Sequence, residues 1–117
     1  MLRLTLKTFV LLASFSFIAA CGGGDEAADC SDTMAQMRGF MIVDGGCKTC
    51  HSDTSANRNG APAMVNFDNP NDIDMFESGI RTRAISQKTM PPAAPLGTGP
   101  LNDGQISDLQ AFLDCRE

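Results

Sequence analysis

An all-α domain is predicted by three observations. Apolar residues recur at helical spacing in separate segments, each segment is opened by a residue that can cap a helix, and no stretch alternates with a period of two long enough to suggest a sheet. The first helix starts at Ser31 or Asp32, whose side-chain oxygens can satisfy free backbone amides. It runs to about Asp44, with Met34, Met37, Met41 and Ile42 at helical spacing around Gly39 and Phe40, and stops at Gly45-Gly46. A second helix opens at Asn69-Pro70, with asparagine as cap and proline in the first turn, and reaches Gly79. A short third helix is expected over Ile80 to Gln87. The last begins at Asn102 or Asp103, where Asn102 and Gln105 have the spacing of a capping box. Its apolar stripe is Ile106, Leu109, Phe112 and Leu113.

The chain has three parts. Residues 1–20 carry Arg3 and Lys7 ahead of an apolar run too short to span a bilayer as a mature helix, the pattern of a secretory signal peptide. The run ends Ile18-Ala19-Ala20-Cys21, which resembles the lipobox of bacterial lipoproteins, in which the cysteine is lipidated. Ordinary cleavage after Ala20 with a free Cys21, and a soluble periplasmic product, is the alternative. Residues 21–29 then form a lipidated cysteine and a flexible tether, and Gly22 through Asp29 reach roughly 15 Å as a flexible coil. Residues 30–117 form one domain. The expected location is the periplasmic face of a bacterial membrane, and Gly22 after the cysteine, by resemblance to lipoproteins, favours the outer membrane.

Removing the leader leaves 97 residues with seven basic and fourteen acidic side chains, a net charge of −7. Nucleic acid is not an expected partner at that charge. An acidic surface suits basic docking faces and also simply keeps an exported protein soluble.

Cys47-Lys48-Thr49-Cys50-His51 is the attachment pattern of a c-type haem, and His51 is the sole histidine. Residues three and four apart share one side of a helical turn, so two thiols and an imidazole converge. The thiols suit the porphyrin vinyl groups and the imidazole suits the iron. A thioredoxin-like dithiol would need a βαβ setting, and a zinc site a second paired set; neither is present in the sequence. One covalent haem c per chain is therefore the expected cofactor. Of the five cysteines, Cys30 and Cys115 are left over. In an exported protein they are plausible disulfide partners, with two free buried thiols as the alternative.

With these residues and the later Met90-Pro91-Pro92, the segment 30–116 resembles the class I c-type cytochromes. The resemblance implies a small cytochrome c-like helical domain wrapped around one covalently bound haem. It implies that the first helix crosses the last, with Gly39 at the close approach facing Leu109 and Phe112; Val43 stands where the family usually has an aromatic residue.

With one histidine, ligation by two imidazoles of one chain is impossible, so the sixth iron ligand is expected to be a methionine. Met34, Met37 and Met41 are expected to fill the core. Among Met64, Met75 and Met90, the last matches the family's ligand segment and precedes two prolines that stiffen the loop; the other two are expected to pack. The candidate cofactor and metal residues are thus Cys47, Cys50, His51 and Met90. The resemblance also implies that the Pro62 carbonyl accepts the N–H of the second His51 nitrogen, with a turn proline making no such bond as the alternative. Arg58, Arg81 and Arg83 are candidates to neutralise propionates, though ordinary exposure is the first expectation for each.

The expected function is one-electron transfer between redox partner proteins, without catalytic activity of its own. A fixed relay subunit of a larger oxidoreductase and a haem sensor or gas-binding module are the alternatives.

Overall fold

Asp32, Asn69 and Asn102 each place a side-chain oxygen on the first free amides of a helix, and these three caps set the architecture. The computed structural model describes residues 29–94 and 97–116. The expected signal peptide, Cys21 and the tether up to residue 28 lie outside the described residues. Helix α1 spans Thr33–Met41, α2 Pro70–Ile80 and α3 Asp103–Asp114. No strand occurs among the described residues. The Asn102 box is reciprocal: Asn102 accepts the Gln105 amide at 2.9 Å, and the Gln105 side chain accepts the Asn102 amide at 3.0 Å.

Two boundaries differ from expectation. After Met41 the chain keeps turning as a wider π-helical segment, Ile42–Gly46, so Gly45 and Gly46 lie inside the turn and do not stop it. The helix expected over Ile80 to Gln87 is present as π-helical Arg81–Ser86, but it continues α2 without a break. Continuity buries Ile73 and Ile80 on α2 and Ala84 on its extension against the same core, which outweighs the roughly 1 kcal/mol cost of a mid-helix glycine at Gly79.

Helices α1 and α3 form the main packing contact. Ala35 and Gly39 form the buried face of α1. A Cβ built on Gly39 would stand 2.1 Å from the Asp108 carbonyl oxygen and 2.6 Å from Phe112 Cβ, so only glycine fits. Around the crossing, Arg38 grips Asp108 through two bonds of 2.8 Å, and Phe40 meets Phe112 edge-on at 6.0 Å. Gly39→Ala is expected to lower stability by about 2 kcal/mol, overpacking outweighing alanine's helix preference. A urea midpoint equal to wild type would contradict it.

Below the crossing, Val43 and Leu109 are almost wholly buried, at 1% and 0% exposure, among Phe67, Ile73, Ile80, Leu101 and Leu113. Val43, where the family resemblance implies an aromatic residue, is buried but also lines a small cavity of about 170 Å³ with Phe40, Phe67 and Ile73. Arg81 ties α2 to the end of α3 through Glu77 at 2.7 Å and Asp114 at 2.6 Å.

The methionines do not fill this core. Met34, Met37 and Met41 are 63%, 56% and 62% exposed. Once α1 presents its smallest residues to α3, helical geometry carries these three to the opposite side. Met64 and Met75 are exposed as well, contrary to a packing role. Cys30 and Cys115 are bridged, with Cα atoms 5.4 Å apart, joining the approach to α1 to the end of α3.

Candidate cofactor site

The turn after α1 gathers the candidate thiols and imidazole. The amides of Cys50 and His51 both donate to the Cys47 carbonyl, at 3.2 and 2.9 Å, closing Cys47–Thr49 into one tight 3-10 turn. Lys48 reaches back to Asp44 at 2.8 Å, and the Thr49 hydroxyl donates to the Gly45 carbonyl at 3.1 Å, locking the turn onto the π-helical segment. Cys47 and Cys50 are free thiols, both half-buried. Desolvation pushes the Cys47 thiol up to about 11, with a smaller contribution from Cys50. In the bare chain Cys47 is therefore a protonated, weakly reactive group. The Cys50 sulfur accepts the Asn59 side-chain amide at 3.4 Å.

His51 lies against the Phe67 ring, with centroids 5.0 Å apart. Its Nδ1 stands 3.0 Å from the Val65 carbonyl oxygen. A carbonyl only accepts, so Nδ1 is the donor of this bond, and in the neutral ring that leaves the Nε2 lone pair for a metal.

Pro62 does not serve this role. Its carbonyl takes the Val65 amide at 3.0 Å and Arg58 Nη2 at 2.7 Å, closing the turn that brings Val65 round. Pairing of the Phe67 amide with the His51 carbonyl at 2.8 Å then sets Val65 beside the imidazole.

Arg58 organises this loop, contrary to the expected exposure. Nη1 donates to the Ser52 carbonyl at 2.6 Å and Asn66 Oδ1 at 2.7 Å; Nη2 donates to the carbonyls of Pro62 and Val65; Nε makes a longer contact, 3.5 Å, with the Ala61 carbonyl. Asp68 braces the same loop, its carboxyl held below the ordinary value chiefly by the Asp53 amide and then by the Ser52 hydroxyl.

Met90 arrives on a separately built wall. The Arg83 carbonyl accepts the amides of Thr89 and Met90, at 2.8 and 3.1 Å, and the Thr89 hydroxyl at 3.2 Å. Further along, the Gly99 amide donates to the Pro92 carbonyl at 2.9 Å. A Cβ on Gly97 would lie 2.5 Å from that same oxygen, so the chain closes over Pro92 only with glycine there.

These pieces line one cleft. Its cavity volume is about 410 Å³, and its lining contains Cys47, Cys50, His51 and Met90 together with apolar Val65, Phe67, Phe76, Ile80 and Ala84. Cofactor and ligand sites ordinarily occupy roughly 300–1000 Å³, so the space falls within the range of a binding site. Met64, Met75 and Arg81 are not part of the lining, whereas Arg58 and Arg83 are. Among the described residues no group of three His, Cys, Asp or Glu side chains converges on a metal position.

No family model, curated protein or solved structure matches the chain. Val65 and Arg83 shape the candidate site in a way the sequence does not announce, because each acts through its backbone oxygen and any residue type supplies one. Arg58 was visible as a charge, but its five acceptors were not.

Proposed function

We propose that this chain is a membrane-tethered monohaem c-type cytochrome that carries single electrons between redox partner proteins. In this reading Cys47 and Cys50 would hold haem c covalently, and His51 and Met90 would be the residues that ligate its iron. One observation carries it: two free thiols, an imidazole of fixed tautomer and a thioether line the same apolar cleft. The fit is chemical as well as spatial. Two thiols in one turn suit two vinyl groups, an unprotonated Nε2 and a soft, neutral sulfur suit iron, and the aromatic and aliphatic walls suit a porphyrin face.

When bound, the haem supplies a one-electron ferric/ferrous couple. The protein's own contribution is to hold and shield. Val65 keeps the His51 ring in one orientation. Phe67, Phe76, Ile80 and Ala84 keep water from the cleft's interior, and the Arg83 carbonyl fixes the backbone that presents Met90. With His51 and Met90 both ligating, the iron would keep no place for a substrate, so the domain is read as a carrier and not as an enzyme.

Lipid on Cys21 and the tether would keep the domain at the periplasmic face of a membrane. No helix among the described residues is long and apolar enough to cross one. Redox partners with basic faces are the expected complement of the acidic surface.

The test is maturation in a host competent for c-type cytochrome assembly, followed by intact mass and a pyridine haemochrome spectrum. The expected product is red, heavier by one haem, with neither Cys47 nor Cys50 available to a thiol reagent. Replacing both by serine is expected to abolish covalent attachment. A colourless wild-type product with both thiols free refutes the reading.

A further inference from the structure

We propose that Arg58 is a positioning residue that tunes the electron-donating strength of His51 through a carbonyl the two share. The inference rests on the cytochrome reading and adds to it a determinant of redox behaviour.

The Val65 carbonyl oxygen accepts His51 Nδ1–H at 3.0 Å and Arg58 Nη2–H at 3.1 Å. It has two lone pairs, so both bonds form, but each draws density from one oxygen. A guanidinium is the stronger competitor because its donor is charged. The His51 proton is consequently held more by its own nitrogen and less by the carbonyl. A ring whose N–H bond to its acceptor is weakened has less imidazolate character, and its Nε2 is a poorer donor to metal. A poorer donor stabilises ferric iron less, so Arg58 raises the reduction potential.

Two features make this a fixed device. The remaining contacts of the guanidinium, to Ser52, Asn66, Pro62 and Ala61, engage its whole fork and leave it no freedom to leave Val65. The guanidinium also presents its donors as one rigid planar fork that suits several acceptors at once. Lysine, a point charge on a flexible stem, cannot reproduce the fork.

The test uses the mature holoprotein in the diamagnetic ferrous state, with Arg58→Gln, Arg58→Lys and Asn66→Ala. Two quantities are read, the proton resonance of His51 Nδ1–H and the midpoint potential. In both Arg58 variants the resonance is expected to move downfield, because the carbonyl is no longer shared, and the potential to fall. Asn66→Ala loosens the same loop but leaves the shared carbonyl, so the resonance should stay in place.

An upfield shift, or loss of the signal to solvent exchange, would mean that Arg58 only holds the loop, and would overturn the proposal. A potential change in Arg58→Gln alone, with the resonance unmoved, would reduce the effect to distant charge and overturn it equally. Should the Arg58 variants fail to fold, couplings across hydrogen bonds in wild type decide: both donors must couple to the Val65 carbonyl carbon, and absence of the Arg58 coupling refutes sharing. A colourless product would refute the cytochrome reading instead, and the Nδ1–H resonance of that haem-free chain would still report on the carbonyl.

Discussion

Replacing Cys30 and Cys115 together by alanine is expected to cost the domain about 4.5 kcal/mol, the loop-closure value for a cross-link spanning 85 residues. The bridge encloses nearly the whole described domain, so in the unfolded chain it removes close to the largest entropy one disulfide can remove here. Its ends sit where that restraint matters for assembly, at the entry to α1 and the exit of α3, the two helices whose crossing at Gly39 admits no side chain. Removing both cysteines avoids the separate disturbance of an unpaired thiol. Urea denaturation should show a lower midpoint and a steeper slope, because an unbridged unfolded chain exposes more surface. For a domain of this size the melting temperature should drop by roughly 20 °C or more. A midpoint and slope equal to wild type would show that the bridge restrains a chain already compact when unfolded.

What the sequence disclosed about fold and site divides by the distance over which each interaction acts. The caps at Asp32, Asn69 and Asn102 were legible because cap and amide lie within one helical turn. The Cys47–His51 turn was legible for the same reason, and Gly39 because its spacing from Cys47 resembles a known family pattern.

The faces of α1 were not legible. Hydropathy assigned the core to Met34, Met37 and Met41, whereas close approach to Asp108 and Phe112 selects the side with the least volume, Ala35 and Gly39. The acceptor for His51 lies 14 residues away in an irregular loop whose course depends on five contacts of a single arginine. Nothing in composition distinguishes the Pro62 carbonyl from that of Val65; only the closed turn between them does. The π-helical segments were also beyond reach, since a wider turn is chosen by what it buries, here Val43 and Ala84, and no residue type marks it.

Met90→Ala should leave haem attachment intact yet abolish the weak sulfur-to-iron absorption band expected of methionine ligation, and lower the midpoint potential. In the proposed reading attachment would depend on Cys47 and Cys50, which lie on the turn after α1, away from the wall that carries Met90. The thioether is a weak donor that favours ferrous iron, so its loss to water or another hard ligand favours ferric iron. The vacated position should also bind carbon monoxide more readily than wild type does at neutral pH. Met64→Ala and Met75→Ala are the controls, since both side chains are exposed and neither belongs to the cleft. Each should keep the band and the potential. Because the Met90 amide is held by the Arg83 carbonyl whatever its side chain, alanine there removes the sulfur and leaves the wall standing, so a lost band reports on ligation and not on collapse. Survival of the band in Met90→Ala, with its disappearance in Met64→Ala, would move the ligand assignment to Met64 and require the 62–65 turn to open.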